Sequence, residues 1–400
     1  LAFWADVLKR NLGTKNKKGF SEGNPERGIV FMQTFNFRGE ITLSRLGMGA
    51  MRLPTRKEEG SPIDVEKAQE IIDYAVKNGV NYFDTAYVYH EGKSEGFLGK
   101  ALSKYPRDSF YVADKFNYMA NPDYKAQFAE QLDRLQMDRI DFYLLHAVSD
   151  DLMDKLISCG CIDYFDRMKA EGKIRYFGFS FHGTPDALRK MLALYQWDFV
   201  QIQLNYYDWM FGDAKELYEI LEQANIPVTV MEPVRGGRLA TLSDEIDKTL
   251  AEAIPGCSVA SWALRWLMRL PQVGVTLSGM SSLEQIKDNV ATFSEYSALS
   301  DEQADLLLKM GAEFKKSISV ACTGCRYCFP DCPQGIDIPR VLEIYNQYKL
   351  GGPWQLGALD EMPEGKRPED CIGCGSCTGH CPQNIDVPAY MQEMAQQRGK

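Results

Sequence analysis

The sequence predicts an α/β architecture, a (β/α)8 barrel, followed by a small α+β module, and three observations carry that prediction. From about residue 40 to residue 300, short apolar runs alternate with amphipathic stretches at intervals of roughly 30 residues, the rhythm of βα units on a parallel sheet. About eight such units fill the span, which suits closure into a barrel better than an open, doubly wound sheet. The Gly-x-Gly-x-x-Gly turn that would mark the open alternative does not follow the first strand. From Cys322 onward the chain changes character and carries most of its 11 cysteines.

Residues 1–31 show little periodicity and include a Lys-, Gly- and Asn-rich stretch from Gly13 to Gly28, so a poorly ordered N-terminal extension is expected there. A strand-like opening after Met32 starts the barrel, expected over residues 32–300. Its apolar runs are NYFDTA (81–86), FYVADKF (110–116), IDFYLLH (140–146), IRYFGFS (174–180), FVQIQLN (199–205), PVTVME (227–232) and VGVTLSG (273–279). Helical patterns lie between them. In residues 65–79, Ala68, Ile72 and Val76 share one face and Gly79 stops the helix. DEQADLLLKMGAEFKKS (301–317) gives one more helix within a linker over 301–321, and residues 322–400 form the cysteine-bearing module.

Composition narrows the function classes. A net charge of −10 argues against a nucleic-acid footprint, which needs a basic face. No apolar stretch reaches the roughly 18 residues of a membrane span, and the first residues lack a basic, apolar and small-residue leader pattern. Disulfide scaffolds belong to small secreted chains, and this chain is expected to be neither. A reduced, cytoplasmic, metal-loaded protein is expected.

The cysteines say which metal. Cys322, Cys325, Cys328 and Cys332, then Pro333, and Cys371, Cys374, Cys377 and Cys381, then Pro382, both read C-x2-C-x2-C-x3-C-P. This is the spacing that wraps a 4Fe-4S cubane in bacterial-type ferredoxins, where the fourth cysteine normally ligates the other cluster. On that rule Cys322, Cys325, Cys328 and Cys381 hold one cluster, and Cys371, Cys374, Cys377 and Cys332 the second. Paired zinc sites are the rival, but zinc thiolates usually come as two separated pairs. CPQGIDIP (332–339) recurs as CPQNIDVP (381–388), so the module is internally duplicated, with residues 333–370 as an insertion.

The barrel runs carry polar residues where chemistry collects in such a fold. Asp84, Lys115, His146 and Ser180 stand at or near the ends of successive runs, with Gln201 inside the next. Singly, Asp84 could cap a helix, Lys115 could be solvated and His146 could be a satisfied core histidine; together they point into one mouth.

NYFDTAYVYHEGKSEGFLGKAL resembles the aldo-keto reductase signature, D-T-A-x-x-Y followed by a glycine-bearing turn and a helix, and the resemblance runs over about residues 33–300. The fold it implies is the TIM barrel, here followed by a ferredoxin-like module. It implies a catalytic tetrad of Asp84, Tyr89, Lys115 and His146, with Tyr87 as a competitor that the five-residue offset from Asp84 disfavours. It implies that Ser180 and Gln201 contact the nicotinamide carboxamide, although the Asn usual after that Ser is Phe181 here. In MEPVRGG (231–237), Met231 stands where many members stack an aromatic, or is an ordinary core methionine, and Gly236 and Gly237 lie along the pyrophosphate. Gly49, Ala50 and Met51, and in SGMSSLEQIKDN Gly279, Ser281, Gln285 and Asn289, complete the implied cofactor positions. Many members place a Lys and an Arg where this chain has Gly279 and Gln285. Arg235 or Lys287 are the available substitutes, and the resemblance leans to NADP(H) over NAD(H).

Chemistry supports the tetrad independently. A free Tyr has a pKa near 10, a neighbouring Lys⁺ lowers it, and Asp84 would hold that Lys. Tyr89 would then be general acid for carbonyl reduction and base for alcohol oxidation, with His146 orienting the carbonyl. The expected activity is therefore hydride transfer between NAD(P)H and a small carbonyl or alcohol, with two 4Fe-4S clusters for electron transfer. Hydride moves as two electrons and each cluster takes one, so a redox partner protein (a ferredoxin or flavoprotein) is expected. The alternative is an electron-transfer subunit whose barrel binds NAD(P) as sensor or docking platform.

Overall fold

A computed structural model of the chain describes residues 31–56, 62–316, 319–351 and 353–398; the expected N-terminal extension lies outside them except for Phe31. Eight parallel strands close into a barrel: β3 (Leu46–Gly49), β4 (Tyr82–Asp84), β5 (Tyr111–Phe116), β6 (Ile140–Val148), β7 (Ile174–Phe181), β8 (Phe199–Gln203), β9 (Val228–Met231) and β10 (Val273–Ser278), which pairs back with β3. Before it, β1 (Thr34–Phe37) and β2 (Ile41–Ser44) form an antiparallel hairpin.

Strand periodicity places the site. Successive side chains alternate between the barrel interior and the helix-covered outside. On β6, Phe142 and Leu144 face the interior cluster while Tyr143 and Leu145 join the outer core; His146 is next in phase with the interior pair. The same alternation sets Asp84 two residues beyond interior Tyr82, and Lys115 two beyond interior Ala113. Ser180 stands four beyond interior Tyr176, and Gln201 two beyond interior Phe199. The five polar residues thus form the top layer of the barrel interior.

The layer below is aromatic. Phe37 of the hairpin packs edge-on against Phe142 and Tyr176 at centroid distances of 5.3 and 4.7 Å. With Ile41 and Leu43 it seals the N-terminal mouth. Gly274 makes room for the hairpin, since a Cβ there would sit 2.9 Å from Phe35. Only the C-terminal mouth stays open for chemistry. β3 escapes sequence inspection because its four residues, LGMG, hold two glycines. Gly47 is required by crowding, as its Cβ would meet Leu277 and Val275 at 2.7 Å.

The helix Val65–Lys77 starts at Asp64, whose side chain accepts from the Lys67 N–H. It buries Ala68, Ile71, Ile72 and Ala75, so the buried stripe runs through Ala75 and leaves the expected Val76 half-buried. The helix Asp301–Lys315 starts in a capping box between Ser300 and Gln303. Its Gly311 lies against Tyr206 and Met210, which ties this helix to the barrel.

In the cysteine-bearing module the insertion has a clear structural use. The helix Ile338–Gly351 packs on the helix Val387–Arg398, and Val341, Leu342, Tyr345, Leu359, Met391 and Met394 form a core separate from the barrel's. Tyr345 and Lys349 both bind Glu393, at 2.7 and 2.6 Å. Among the described residues the module contains helices and turns and no strand. Its cysteine loops coil through left-handed positions at Gly324, Arg326, Gly373 and Gly375, which leaves no extended run for a ladder.

The helices Ser94–Leu102 and Tyr124–Leu135 touch at Gly99, where a Cβ would lie 2.2 Å from the Leu135 carbonyl oxygen. Gly99→Ala is expected to destabilise the protein by about 2 kcal/mol through overpacking. A urea denaturation midpoint equal to the parent's would show that the helices are not in this contact.

Candidate active site

Asp84 and Lys115 form a buried ion pair at the top of β4 and β5. Lys115 Nζ donates to Asp84 Oδ1 at 2.6 Å and to the Thr85 carbonyl at 2.5 Å. Burial raises the Asp84 pKa, and Lys115 opposes that rise. Tyr89 arrives on the turn after β4, where its N–H donates to the Ala86 carbonyl. Its ring centroid lies 4.9 Å from Lys115 Nζ and 6.0 Å from the His146 ring. Tyr87 faces elsewhere: its hydroxyl donates to Glu130 at 2.8 Å and its ring lies under Arg134. The four residues of the sequence-derived tetrad are therefore brought together, with Tyr89 rather than Tyr87.

The electrostatics differ from the expectation in one respect. Burial pushes the Tyr89 pKa well above 10, with the Asp84 charge adding to the rise, and a hydrogen bond with Tyr327 working against it. The expected dominance of Lys115 is not seen, because its ammonium spends its bonds on Asp84 and Thr85 and meets the Tyr89 ring rather than its hydroxyl. His146 is held well below its usual pKa by burial, then by the charges of Lys115 and His182, so its imidazole is neutral near pH 7. Its Nδ1 lies 3.3 Å from the Asn117 amide.

Above this layer opens a cavity of ≈ 320 Å³. Asp84, Tyr89 and His146 line its floor, and ten of the expected cofactor positions line its walls: Gly49, Met51, Ser180, Gln201, Met231, Gly236, Gly237, Gly279, Ser281 and Gln285. Asn289 also lines it, its amide donating to Ser278 at 2.9 Å, whereas Ala50 is buried behind the wall. Ser180 Oγ accepts from the Ala147 N–H at 2.8 Å, which leaves its proton free to donate. Gln201 Oε1 is buried with no partner, and its Nε2 contacts only Met231 Sδ, at 3.5 Å. An unsatisfied acceptor beside a hydroxyl donor fits a carboxamide, which offers one of each. Gly237, at φ +97°, has open space where a Cβ would be, the kind of cradle a phosphate can approach.

The remaining wall belongs to the cysteine-bearing module. Thr323, Cys325, Tyr327, Pro382 and Gln383 line the same cavity. The Gly236 backbone lies so close to Thr323 that a Cβ would stand 1.8 Å from its carbonyl oxygen. Arg52 Nη2 reaches that oxygen at 3.4 Å. Gln383 donates to Gln203 at 2.9 Å and accepts from Arg235 at 2.7 Å, while Arg235 is paired with Asp208 at 2.9 Å.

The two thiol sets interlace. Cys381 lies near enough to Cys322, Cys325 and Cys328 that its charge would raise the pKa of each, whereas Cys332 shares a small cavity with Cys371, Cys374 and Cys377. Burial, chiefly, pushes Cys325 up to about 11 and Cys328 to about 12. Arg238 and Arg235 ease the charge on Cys322. Among the described residues no three His, Cys, Asp or Glu side chains converge as ligands of a single ion do. Cys332, Cys371, Cys374 and Cys377 around one small hollow suit the separate corners of a cubane.

Sequence reasoning missed several residues of this site. Arg52 is the one Lys or Arg among the described residues lining the cavity, and it is paired with Glu232 at 3.5 Å. Glu232 is a buried carboxyl whose pKa is raised by burial against the pull of Arg52, and its Oε2 has no partner. His182, two residues after Ser180, also lines the cavity. The strand phase that selects Ser180 could have found His182; nothing local to Tyr327 marks it as part of a distant barrel.

Burial alone lowers the His182 pKa to about 4. Between the unfolded value of about 6.5 and that folded value the unfolded chain binds more protons, so stability is full above about 6.5 and falls as pH drops toward about 4. His182→Gln is expected to flatten this decline in urea midpoints measured across the window. Equal slopes in parent and variant would contradict it.

Residues 45–311 match the model of the aldo/keto reductase family, and residues 321–385 match a 4Fe-4S dicluster domain. L-galactose dehydrogenase of Arabidopsis thaliana is 27% identical over 290 residues, 66% of this chain and 89% of that protein. The NADH-specific methylglyoxal reductase of Escherichia coli is 25% identical over 321 residues, 69% of this chain and 97% of that protein. Among solved structures, the holo form of an aldo-keto reductase from Bacillus halodurans superposes with a TM-score of 0.58 at 28% identity, covering 70% of this chain and 96% of that one. No helix among the described residues is long and apolar enough to cross a membrane. The chain belongs to the aldo/keto reductase family, its barrel followed by a 4Fe-4S dicluster domain.

Proposed function

We propose that the barrel interconverts a small carbonyl compound and its alcohol with NADPH or NADH, and that the second module holds two 4Fe-4S clusters which exchange electrons with a redox partner. The observation that carries the reading is the buried Asp84–Lys115 pair beneath Tyr89, facing a neutral His146 across a cavity with a free carboxamide-binding acceptor at Gln201. Two relatives whose names describe a carbonyl reduction and an alcohol oxidation support the same class.

A nicotinamide nucleotide, when bound, supplies or accepts the hydride. Ser180 and Gln201 would hold its carboxamide, Gly236 and Gly237 its pyrophosphate, and Arg52 is the cation available to a phosphate. His146, uncharged, orients the substrate oxygen toward Tyr89. Tyr89 holds the proton at its hydroxyl and gives it up as the carbonyl oxygen gains charge, with Lys115 below offsetting the charge that develops on the phenolate. In the module, the clusters would be held by Cys322, Cys325, Cys328 and Cys381, and by Cys371, Cys374, Cys377 and Cys332. Cys374 is exposed, and its neighbour Ile372 is 62% exposed, which suits this face to a ferredoxin or flavoprotein partner. Thiolate-held clusters suit the reduced cytoplasm.

Tyr89→Phe is expected to lower carbonyl turnover by about 10²- to 10⁴-fold with nucleotide binding nearly intact, measured by nicotinamide fluorescence with NADH and NADPH in turn. Unchanged turnover would remove Tyr89 from the mechanism. Cys381→Ser is expected to cost about half the iron and to spare the cluster held with Cys332, as read by iron and sulfide content and by electron paramagnetic resonance. Full iron content in this variant would sink the interlaced assignment.

A further inference from the structure

Tyr327 lies between two thiols of the first quartet, yet its side chain lies in the barrel. It lines the cavity with Asp84, Tyr89 and His146, and its ring centroid is 6.5 Å from that of His146. Its hydroxyl is a hydrogen-bond partner of the Tyr89 hydroxyl. The preceding residue explains the direction: Arg326 sits at φ 65° and is tied outward by Asp337 at 3.1 Å and by the Phe329 ring at 4.8 Å. Thr323 of the same loop is clamped against Gly236, and the second repeat is fixed to the barrel by Gln383 against Gln203 and Arg235.

We propose that Tyr327 is a positioning and specificity-determining residue of the barrel's site, supplied by the iron–sulfur module: it holds the Tyr89 hydroxyl and caps the substrate side of the cavity. The module thereby sets both the aim of the proton-donating phenol and the size of carbonyl compound that reaches it. This rests on the carbonyl chemistry proposed above. Lys115 contacts the Tyr89 ring while its ammonium bonds Asp84 and Thr85, so it does not aim the hydroxyl. Tyr327 shares a hydrogen bond with that hydroxyl, and when Tyr327 is the donor the Tyr89 O–H is left to donate to a substrate oxygen. The Tyr327 ring takes up space over Tyr89 and His146 that a bulky ketone would otherwise use, so small carbonyl compounds are the class admitted.

The test uses the full-length, anaerobically purified, cluster-loaded protein and its Tyr327→Phe and Tyr327→Ala variants, with propanal and naphthaldehyde as substrates. Propanoate and naphthoate serve as non-reacting ligands in calorimetry. Tyr327→Phe is expected to lower kcat for propanal about tenfold while the KM for nucleotide and the iron and sulfide content stay at parent values. Tyr327→Ala is expected to raise naphthoate affinity relative to propanoate about tenfold. Unchanged kcat in the Phe variant, or an unchanged ligand ratio in the Ala variant, overturns the proposal. If the parent protein turns over neither aldehyde, the proposed function fails, and the carboxylate ratio still decides the place of Tyr327. Should Ala lose iron, Tyr327→Leu replaces it; loss of iron in every variant would assign Tyr327 to the cluster's shell and overturn the proposal.

Discussion

The ion pair between Asp84 and Lys115 is the constraint on which the rest of the site depends. Both side chains are almost fully excluded from water, and neither charge is tolerable there without the other. The pair persists because β4 and β5 are adjacent in the barrel and Lys115, two residues beyond Asp84's register partner Ala113, reaches Asp84 with its ammonium. Losing one partner of such a pair typically costs about 3–5 kcal/mol, since a bare charge is left buried. Lys115 is therefore held at one point, and Tyr89 rests its ring over that point.

That arrangement needs a barrel closed at one end. The hairpin β1–β2 fills the N-terminal mouth with Phe37, Ile41 and Leu43, so water reaches the polar layer only from the opposite side. On the opposite side stands the cysteine-bearing module, whose loop residues complete the cavity wall. The low pKa values of His146 and His182 follow from this enclosure, because burial is the largest cause for each. The neutral state of His146 is thus a property of two packed domains as much as of its own strand.

Much of this was legible in the residues. Period-two alternation put Asp84, Lys115, His146, Ser180 and Gln201 on one interior layer, and seven of the barrel strands announced themselves as apolar runs. β3 did not, because glycines needed for close packing erased its hydrophobic signal. The clustering of Asp84, Tyr89, Lys115 and His146 was readable because each closes a strand or stands at a set offset from one. The effect of Lys115 on Tyr89 was not, because it depends on which atoms the ammonium bonds rather than on how near it lies. Arg52, Glu232 and Tyr327 were out of reach for a related reason. Arg52 precedes the helix Val65–Lys77, Glu232 was read only as a strand end, and Tyr327 sits among cysteines. Their roles come from a contact between segments far apart in the chain, and no local pattern encodes it.

The duplicated module shows how identical motifs acquire different work. CPQGIDIP and CPQNIDVP fold alike, each followed by a helix, yet Gln334 lines the small cavity beside Cys332 while Gln383 bridges Gln203 and Arg235 of the barrel. The barrel breaks the symmetry of the repeat. The quartet beginning at Cys322 is turned inward, with Cys325 on the cavity wall and Tyr327 against Tyr89, whereas the quartet beginning at Cys371 keeps Cys374 exposed. A module merely tethered to the barrel would have no reason for this order, and Gly236 shows that it is built in. Any side chain at that position would collide with the Thr323 carbonyl, so the barrel's own loop is shaped to receive the module. The thiol set beginning at Cys322 is thus the one built against the barrel cavity, and the set beginning at Cys371 is the one that reaches solvent, so the module is joined to the barrel by a shaped contact rather than by a tether alone.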